Sequence, residues 1–257
     1  MQIHDRVIIV TGGSSGLGHA VACMGLSRGA RVVIADLRPP HADSLPGTEG
    51  AHWIHVRADV TDEQQASAAV RAALDRFHRL DVLVNAAGVA PAERLHGRQG
   101  PHRVDVFRHT LDVNVVGTFN MMRLAIPGFL ASAEREPASD SRGVIVNTAS
   151  IAAYDGQVGQ LAYAASKGAI VSMTLPAARE LARDRIRVMT VAPGVFETPL
   201  LRQLPADVAT ALAQSVPHPA RLGAPQEYAA LVQHIIENEY LNGEVIRLDG
   251  AIRMAPR

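Results

Sequence analysis

Seven short apolar runs, separated by stretches of helical periodicity, constrain the fold of this chain more than any other feature of its sequence. The runs are rich in Val and Ile and are too continuous for strands with one wet face, so they predict strands buried on both faces of a parallel sheet. Because helix-like segments alternate with the runs, helices are expected on both faces of that sheet. We therefore predict an α/β fold in which a doubly wound, seven-stranded parallel sheet forms a single domain over residues 1–257. The runs lie at 7–10, 31–35, 53–58, 82–84, 144–147, 187–191 and 244–248, and the helical patterns at about 16–28, 62–78, 103–132, 157–184 and 225–237.

The composition supports a large core and narrows the choice of partners. Hydrophobic residues make up 47% of the chain and charged residues 19%, which argues against disorder. The 25 basic side chains balance 25 acidic ones, so neither nucleic acid nor an anionic membrane is predicted as a partner. Cys23 is the only cysteine, so an internal disulfide and a cysteine-based zinc or redox pair are excluded, and no metal ligands are predicted. No apolar run approaches a membrane span of about 18 residues and no signal or transit peptide is recognisable, so we expect a cytoplasmic protein.

A glycine-rich turn follows the first predicted strand. Gly12, Gly16 and Gly18 follow the spacing G-x-x-x-G-x-G and lead into the first predicted helix. Glycines at this spacing let the backbone approach a pyrophosphate, which then binds the free N–H groups at the helix N-terminus. Glycine triplets also occur in ordinary turns. The position between a strand and a helix is what favours a dinucleotide cofactor here.

An acidic residue stands where the second strand ends. Asp36 lies 18 residues after the last of the three glycines, where a carboxylate accepts hydrogen bonds from both adenosine ribose hydroxyls and repels a 2′-phosphate. This position favours NAD over NADP, although the neighbouring Arg38 would soften the preference by offering a charge to a phosphate. Asp59 and Val60 follow the third strand and residues 85–88 (Asn-Ala-Ala-Gly) the fourth, so both groups are expected at the same edge of the sheet.

Four polar residues are candidates for a catalytic group. Lys167 is the only lysine among 25 basic residues, which indicates a position where a compact ammonium is required. Tyr163 precedes it by four residues in a helical pattern, so both side chains share one helix face, and the ammonium would lower the phenol pKa from about 10 toward working pH. Ser150, after the strand at 144–147, would bind a substrate oxygen, and Asn114 would hold a water that feeds protons to Lys167. Taken singly, each has a structural explanation: a core tyrosine, a capping serine, a surface asparagine.

Together with residues 193–194 (Pro-Gly), these motifs resemble the short-chain dehydrogenase/reductase family over the whole chain. The resemblance implies a Rossmann fold and an NAD-dependent oxidoreductase. Four further stretches, 156–160, 187–190, 198–201 and 243–254, are similar to one subgroup, the type-2 3-hydroxyacyl-CoA dehydrogenases, also called type-10 17β-hydroxysteroid dehydrogenases. This similarity implies interconversion of short or branched 3-hydroxyacyl-CoA and 3-oxoacyl-CoA in fatty acid metabolism. It also implies hydroxysteroids and other secondary alcohols as further substrates, and a homotetramer.

The resemblance also implies roles for individual residues. Ser150 orients the substrate oxygen and Tyr163 exchanges a proton with it, so both contact the substrate. Lys167 lowers the pKa of Tyr163 and binds the nicotinamide ribose, and Asn114 completes the relay. The residues expected to bind the cofactor are Gly12, Ser15, Gly16, Leu17, Gly18, Asp36, Asp59, Val60, Asn85, Ala86, Gly88, Tyr163, Lys167, Pro193, Gly194, Phe196 and Thr198.

Two further segments are expected to bind the substrate. Residues 194–224 are rich in proline and show short helical patterns near Leu200 and at 207–214, which is typical of a substrate-binding loop that closes as a lid. The loop after the fourth strand is basic. Because arginine suits phosphate geometry, this loop either meets the phosphates of coenzyme A or is an ordinary solvated loop. Its basic residues are Arg94, His96, Arg98, His102 and Arg103.

Three alternative functions stay open at this point. A 3-oxoacyl carrier-protein reductase shares the fold and the four catalytic residues but commonly prefers NADPH, against which Asp36 argues. A hydroxysteroid or secondary-alcohol dehydrogenase applies the same chemistry to another substrate. A nucleotide-sensing regulator keeps the fold without catalysis, and the complete set of catalytic residues argues against it. Relatives of the subgroup include mitochondrial enzymes, whereas the missing N-terminal extension favours a bacterial cytoplasmic enzyme.

Overall fold

The computed structural model describes residues 1–41, 44–98, 100–133, 141–199, 201 and 206–256. Its strands are β1 (Val7–Thr11), β2 (Arg31–Asp36), β3 (Trp53–Arg57), β4 (Val82–Asn85), β5 (His96–Gly97), β6 (Gly100–Pro101), β7 (Gly143–Thr148), β8 (Ile186–Pro193) and β9 (Val245–Leu248). Seven of these form one sheet in the order β3-β2-β1-β4-β7-β8-β9, and every neighbouring pair is parallel. The antiparallel pair β5 and β6 forms a separate hairpin. The predicted seven-stranded parallel sheet is confirmed, with strand ends shifted by no more than two residues.

Helices lie on both faces of the sheet, as the doubly wound prediction requires. They are α1 (Gly16–Ser27), α2 (Glu63–Phe77), α3 (Val104–Leu111), α4 (Gly117–Ala133), α5 (Leu161–Leu181), α6 (Ala206–Gln214) and α7 (Pro225–Glu237). A π-helical turn, Asp112–Val116, joins α3 to α4, and short 3-10 turns lie at Ile151–Ala153 and Ala182–Asp184. The helix predicted at 207–214 is α6, while Leu200 lies outside the described residues.

One predicted helix starts later than expected. The pattern at 157–184 predicts a start near residue 157, but α5 begins at Leu161. Gly159 has a φ of +89°, which a right-handed helix does not contain. The Val158 N–H donates to the carbonyl of Pro256 at 3.0 Å, so a distant segment holds this stretch of backbone as a loop.

Two apolar layers sandwich the sheet and explain why the strand runs are continuous. Under α1 and α7 lie Val10, Val84 and Val146, and under α2, α4 and α5 lie the alternating set Ile9, Leu83 and Ile145. All five residues of β1 and all four of β4 are buried. Both faces of the central strands therefore require apolar side chains.

The helical run Val104–Ser132 is long and apolar enough to cross a membrane by length and composition alone. Half of its most apolar window is buried inside the protein. Met121, Ala125 and Phe129 are fully buried against the sheet. The run is a core helix of this fold, and its burial explains its apolar character.

Candidate active site

The candidate site lies at the carboxyl ends of the central strands. From β1 the chain builds outward to β3 and then returns to β4 on the other side of β1, so the connections leave the sheet in opposite directions at this point. In open α/β sheets such a reversal creates a crevice in which ligands bind. The loops that follow β1, β3, β4, β7 and β8 supply most of the predicted site residues.

The glycine turn after β1 is sterically closed to side chains. Gly12 has a φ of +64°, and a Cβ there would lie 2.8 Å from the backbone of Ala87. A Cβ on Gly18 would overlap the carbonyl of Gly12. Ser15, the N-cap of α1, makes no side-chain cap hydrogen bond, so the first N–H groups of the helix, from Gly16 and Leu17 onward, remain available to an anion. The turn thus has the form of a phosphate cradle.

The carboxylate of Asp36 is fixed by two backbone donors. Its Oδ2 accepts from the N–H of Ser14 at 3.1 Å and its Oδ1 from the N–H of Arg38 at 3.1 Å. The Ser14 hydroxyl donates to the carbonyl of Arg38 at 2.6 Å, which ties the end of β2 to the glycine turn. Asp36 therefore stands beside the turn in a set orientation, with further lone pairs for a ligand hydroxyl.

The other predicted residues at this edge have structural partners of their own. Asp59 accepts from the N–H and the hydroxyl of Thr61 at 2.9 and 2.7 Å, and the carbonyl of the buried Val60 accepts from Asn120 at 3.0 Å. The N–H groups of Ala86 and the next residue both donate to the hydroxyl of Thr11, at 3.1 and 3.2 Å. These contacts fix the loop backbone at the edge of the crevice.

The single lysine is buried at the end of β7. Its Nζ donates to the carbonyl of Thr148 at 2.7 Å and lies 5.8 Å from the ring centroid of Tyr163. A Cβ at Gly88 would lie 3.6 Å from this Nζ, so the loop after β4 borders the ammonium closely. Burial lowers the pKa of Lys167 to about 8.

Tyr163 differs from the expectation in its pKa. We predicted that Lys167 would lower the phenol pKa, but burial is the larger influence and raises the pKa of Tyr163 above its usual value. A hydrogen bond with Ser150 acts in the opposite direction. The three side chains are together as predicted, yet the desolvated position favours the neutral phenol.

Ser150 combines a structural and a site position. Its hydroxyl oxygen accepts from the N–H of Ala152 at 3.1 Å and so caps the 3-10 turn Ile151–Ala153. The same side chain is the hydrogen-bond partner of Tyr163. The capping serine and the substrate-orienting serine, which were alternatives from sequence, are therefore compatible.

Asn114 is fully buried, not a surface residue, and it lies in the π turn between α3 and α4. Its amide donates to the carbonyl of Val89 and to the hydroxyl of Ser166, both at 2.9 Å, and its Oδ1 accepts from the N–H of Val89 at 2.8 Å. Both N–H donors of the side chain are thus used in holding the loop after β4 against α5. The water relay through Asn114 stays a prediction.

The segment after β8 reaches over the glycine turn. Gly194 packs against Asp249, where a Cβ would lie 2.9 Å from that residue, and the Thr198 methyl group would lie 3.6 Å from a Cβ on Gly16. The side chain of Phe196 is buried, and its backbone forms an isolated β-bridge with Gly223. This loop therefore lies beside the phosphate cradle.

The C-terminal segment is a part of the site region that sequence reasoning missed. Gln157 donates to the carbonyl of Ala255 at 2.9 Å, close to the bond between Val158 and Pro256. Arg247 donates to Asp155 at 2.6 Å and to Asp249 at 2.8 Å, and its guanidinium lies 5.1 Å from the ring centroid of Tyr154. These contacts fasten residues 249–256 to the loop that connects Ser150 with α5. Asp155 and Arg247 are 92 residues apart in sequence, so no local sequence pattern predicts this ion pair.

The basic loop divides into free and paired arginines. Arg94 and Arg98 are exposed on and beside the β5–β6 hairpin, and neither has an ion-pair partner in the described part of the chain. Arg103 instead lies 3.6 Å from Glu93 and 3.8 Å from Asp105, so two carboxylates already neutralise it. The ring nitrogen of His102 contacts the carbonyl of Arg103 at 2.9 Å, and His96 is exposed. The expected five-residue cluster is therefore reduced to two free charges.

The fold and the site define a class: Rossmann-type oxidoreductases with a phosphate-binding glycine turn and a tyrosine–lysine pair on one helix. The family model described as short chain dehydrogenase matches residues 6–209, and the chain belongs to this family. It is 51% identical to human 3-hydroxyacyl-CoA dehydrogenase type-2 over 257 residues, which are 99% of this chain and 98% of the relative. It is 50% identical to the protein of the same name from Drosophila melanogaster over 258 residues, which are 99% and 100%. The crystal structure of 3-hydroxyacyl-CoA dehydrogenase type-2 from Mycobacterium avium matches with a TM-score of 0.89 and 37% identity, covering 100% of this chain and 98% of that one.

These similarities confirm the predicted family and the predicted resemblance to the 3-hydroxyacyl-CoA dehydrogenase subgroup. They do not support the expected bacterial source, because the relatives at about 50% identity are animal proteins.

Proposed function

We propose that this chain catalyses the NAD-dependent interconversion of 3-hydroxyacyl-CoA and 3-oxoacyl-CoA thioesters. The observation that carries the proposal is the meeting of Tyr163, Ser150 and Lys167 at the end of β7, beside the glycine turn. Full-length relatives at about 50% identity that are named for this substrate support the choice among secondary alcohols.

The residues present fit a dinucleotide. The cradle at Gly12 and Gly18 leaves no room for a Cβ and admits the close approach of a pyrophosphate. The oriented carboxylate of Asp36 suits the adenosine ribose hydroxyls and repels a 2′-phosphate, which supports NAD over NADP. Of the three donors of the Lys167 ammonium, one is used by Thr148, which leaves two for the hydroxyls of the second ribose. When bound, NAD supplies the hydride acceptor for substrate oxidation.

The protein's own part in the reaction is proton transfer. In the reductive direction, the neutral Tyr163 phenol donates its proton to the 3-oxo oxygen, while the Ser150 hydroxyl donates a hydrogen bond to the same atom. In the oxidative direction, the phenolate accepts the proton of the 3-hydroxyl. Since burial raises the pKa of Tyr163, the proton-donating phenol predominates at neutral pH, and the oxidation rate rises as the pH approaches that pKa.

The test is the NADH absorbance change on mixing the protein with acetoacetyl-CoA, repeated with NADPH and with Tyr163→Phe. We expect rapid oxidation of NADH, weak turnover of NADPH, and loss of turnover in the variant by about 10²- to 10⁴-fold. Preference for NADPH would instead point to a carrier-protein reductase. Binding of NADH without turnover of acetoacetyl-CoA, hydroxysteroids or simple secondary alcohols would point to a nucleotide-sensing regulator.

The two free arginines extend the proposal to substrate recognition. We place the phosphates of coenzyme A near Arg94 and Arg98, because both side chains are exposed and without a carboxylate partner among the described residues. Arg103 is less suited, since Glu93 and Asp105 occupy its guanidinium. In this proposal the described parts of the substrate-binding loop, residues 194–199 and 206–224, cover the acyl end of the substrate.

Exposed apolar side chains support the proposed homotetramer. Val104, Val116 and Phe119 on the α3–α4 run are 61%, 47% and 53% exposed, and Leu161 and Leu175 on α5 are 46% and 44% exposed. Since α3 and α5 pack against each other, these exposed apolar residues lie on adjoining helices, which a second copy would cover in the proposed assembly. Light scattering at several protein concentrations tests this assembly, and a monomer throughout would contradict it.

We also propose a cytoplasmic location, which cell fractionation tests.

A further inference from the structure

A completely buried tyrosine lies behind the end of β7. Tyr228, on α7, is 0% exposed and belongs to the apolar layer under α1 and α7. Its hydroxyl lies 2.7 Å from the hydroxyl oxygen of Thr148. The Thr148 hydroxyl itself donates to the carbonyl of Asn85 at 2.6 Å. Because a threonine hydroxyl has one proton, Tyr228 must be the donor to Thr148.

Thr148 connects this buried chain to the proposed site. Its carbonyl accepts the ammonium of Lys167 at 2.7 Å, and Ser150 follows two residues later. The side chain of Thr148 is thus held from one side by Tyr228 and from the other by Asn85 on β4. Any movement of Thr148 would move the acceptor that positions the ammonium.

We propose that Tyr228 is a positioning residue for proton transfer: by donating to Thr148 it fixes the carbonyl that holds Lys167 at its place beside Tyr163. A phenylalanine would fill the same apolar space, so the hydroxyl is explained by its hydrogen bond and not by packing. This inference rests on the proposed dehydrogenase activity.

The charges around the ammonium are few. The ring centroid of Tyr163 on α5 lies 5.8 Å from the ammonium, Tyr228 on α7 is linked to it only through Thr148, and the end of β7 and the π turn present the uncharged Thr148 and Asn114. Burial raises the pKa of Tyr228 to about 12, so it remains a donor at any working pH. The Thr148 carbonyl is therefore the main stabilising contact of the charged lysine in the described chain.

The test is Tyr228→Phe with kinetics and a direct titration of Lys167. We expect kcat to fall about tenfold, which is less than the ~10²-fold loss that a 1 Å misplacement of a catalytic group causes. KM for the acyl-CoA substrate should change less than about twofold. The acid limb of the pH profile for 3-hydroxyacyl-CoA oxidation moves to higher pH, because a loosely held ammonium stabilises the phenolate less.

Because Lys167 is the only lysine, ¹³C-lysine labelling gives a single side-chain signal whose titration needs no turnover. Its midpoint is expected to fall in Tyr228→Phe, since the buried ammonium loses part of its acceptor. Thr148→Val should have the same effects on kcat, on the acid limb and on the lysine midpoint. Combining Thr148→Val with Tyr228→Phe should add little to the effect of either single variant, and Thr148→Ser should keep the wild-type kcat and midpoint.

Thr174→Val is the matched control. Thr174 is buried on the same helix as Lys167, and its hydroxyl lies 2.7 Å from that of Thr190. This variant loses a comparable hydroxyl contact. It should leave the acid limb of the pH profile and the midpoint of the lysine titration unchanged.

If Tyr228→Phe lowers only the melting temperature, as Thr174→Val does, Tyr228 is structural and the inference is wrong. If the wild-type protein does not turn over acetoacetyl-CoA, the proposed function fails, while the lysine titration still decides whether Tyr228 holds Lys167.

Discussion

The two sides of the crevice are built on different physical principles. The proposed cofactor side, the glycine turn after β1, consists of closely packed backbone: Gly12 against Ala87, and Gly18 against Gly12. The proposed substrate side, made of the loop that connects Ser150 with α5 and of the C-terminal residues 245–256, consists of segments far apart in sequence that charged side chains hold together, as Arg247 does with Asp155. Steric contacts tolerate no added atom, whereas partly exposed ion pairs are individually weak and depend on salt.

This difference predicts how each side responds to change. Substitutions on the cofactor and catalytic side should change the rate or the cofactor preference strongly, because a small number of atoms have fixed positions. Substitutions on the substrate side should change stability and KM moderately, because several contacts share the task.

The largest effect is expected from Lys167→Arg. The charge is kept, but the planar guanidinium is larger than an ammonium in a space bordered by Thr148 and Gly88. We expect kcat for acetoacetyl-CoA reduction to fall by about 10²- to 10⁴-fold. Steady-state kinetics with NADH measure this, with circular dichroism as the control for folding. Activity within about tenfold of wild type would show that any cation suffices at this position, and that close steric contacts do not limit the size of the cation there.

The next effect concerns cofactor preference. Asp36→Asn keeps the size of the side chain and removes the charge that opposes a 2′-phosphate. We expect the ratio of kcat/KM for NADPH to that for NADH to rise by about tenfold or more, equivalent to ~1.4 kcal/mol, mainly through KM. Arg38→Ala is the paired control, because Arg38 is the charge available to that phosphate and its loss should lower NADPH use. An unchanged ratio in Asp36→Asn would remove the argument for NAD.

The cofactor side could be predicted from sequence because its determinants are local. A strand, a glycine turn and a helix follow one another within residues 7–27, and Asp36 ends the next strand. The buried parallel strands are also recognisable in the sequence as continuous apolar runs. For these elements the predicted and observed ends agree closely.

The substrate side could not be predicted in the same way. Its ion pair joins Arg247 to Asp155 over 92 residues, and its main-chain contact joins Val158 to Pro256. Neither leaves a periodic or local signal. The π turn at Asp112–Val116 was also missed, because its sequence has an ordinary helical pattern and the deviation arises where Asn114 bonds to Val89.

The wrong prediction that the pKa of Tyr163 is lowered has the same cause, because this pKa also depends on tertiary packing that leaves no local sequence signal. Helical spacing correctly predicts that Tyr163 and Lys167 share a face, but the balance between burial and charge depends on the packing around them. Sequence gives the pair, and only the fold gives its degree of desolvation.

On the substrate side, Arg247→Gln tests whether ion pairs hold the C-terminal segment. The change removes contacts to Asp155 and Asp249, which are partly or mostly buried. We expect a loss of about 1–2 kcal/mol in the free energy of unfolding and a melting temperature lower by roughly 2–8 °C. KM for acetoacetyl-CoA should rise while KM for NADH stays constant.

Arg183→Gln is the matched control, since Arg183 pairs with Asp184 at 3.5 Å on an exposed surface, and its loss should change stability by less than about 0.5 kcal/mol. Equal effects of the two variants would show that the C-terminal segment is not held by its charges.

The smallest effect is expected from Arg98→Ala. One exposed arginine contributes a screened contact to a phosphate, so KM for acetoacetyl-CoA should rise about two- to fivefold, with kcat unchanged. A truncated thioester without the nucleotide should show no change, and raising the salt concentration should reduce the difference between variant and wild type. Arg103→Ala is the comparison, because Glu93 and Asp105 already neutralise that residue and its removal should affect both thioesters equally. If Arg98→Ala also affects both thioesters equally, the hairpin does not bind coenzyme A, and the weak contacts of this side serve only to hold its loops.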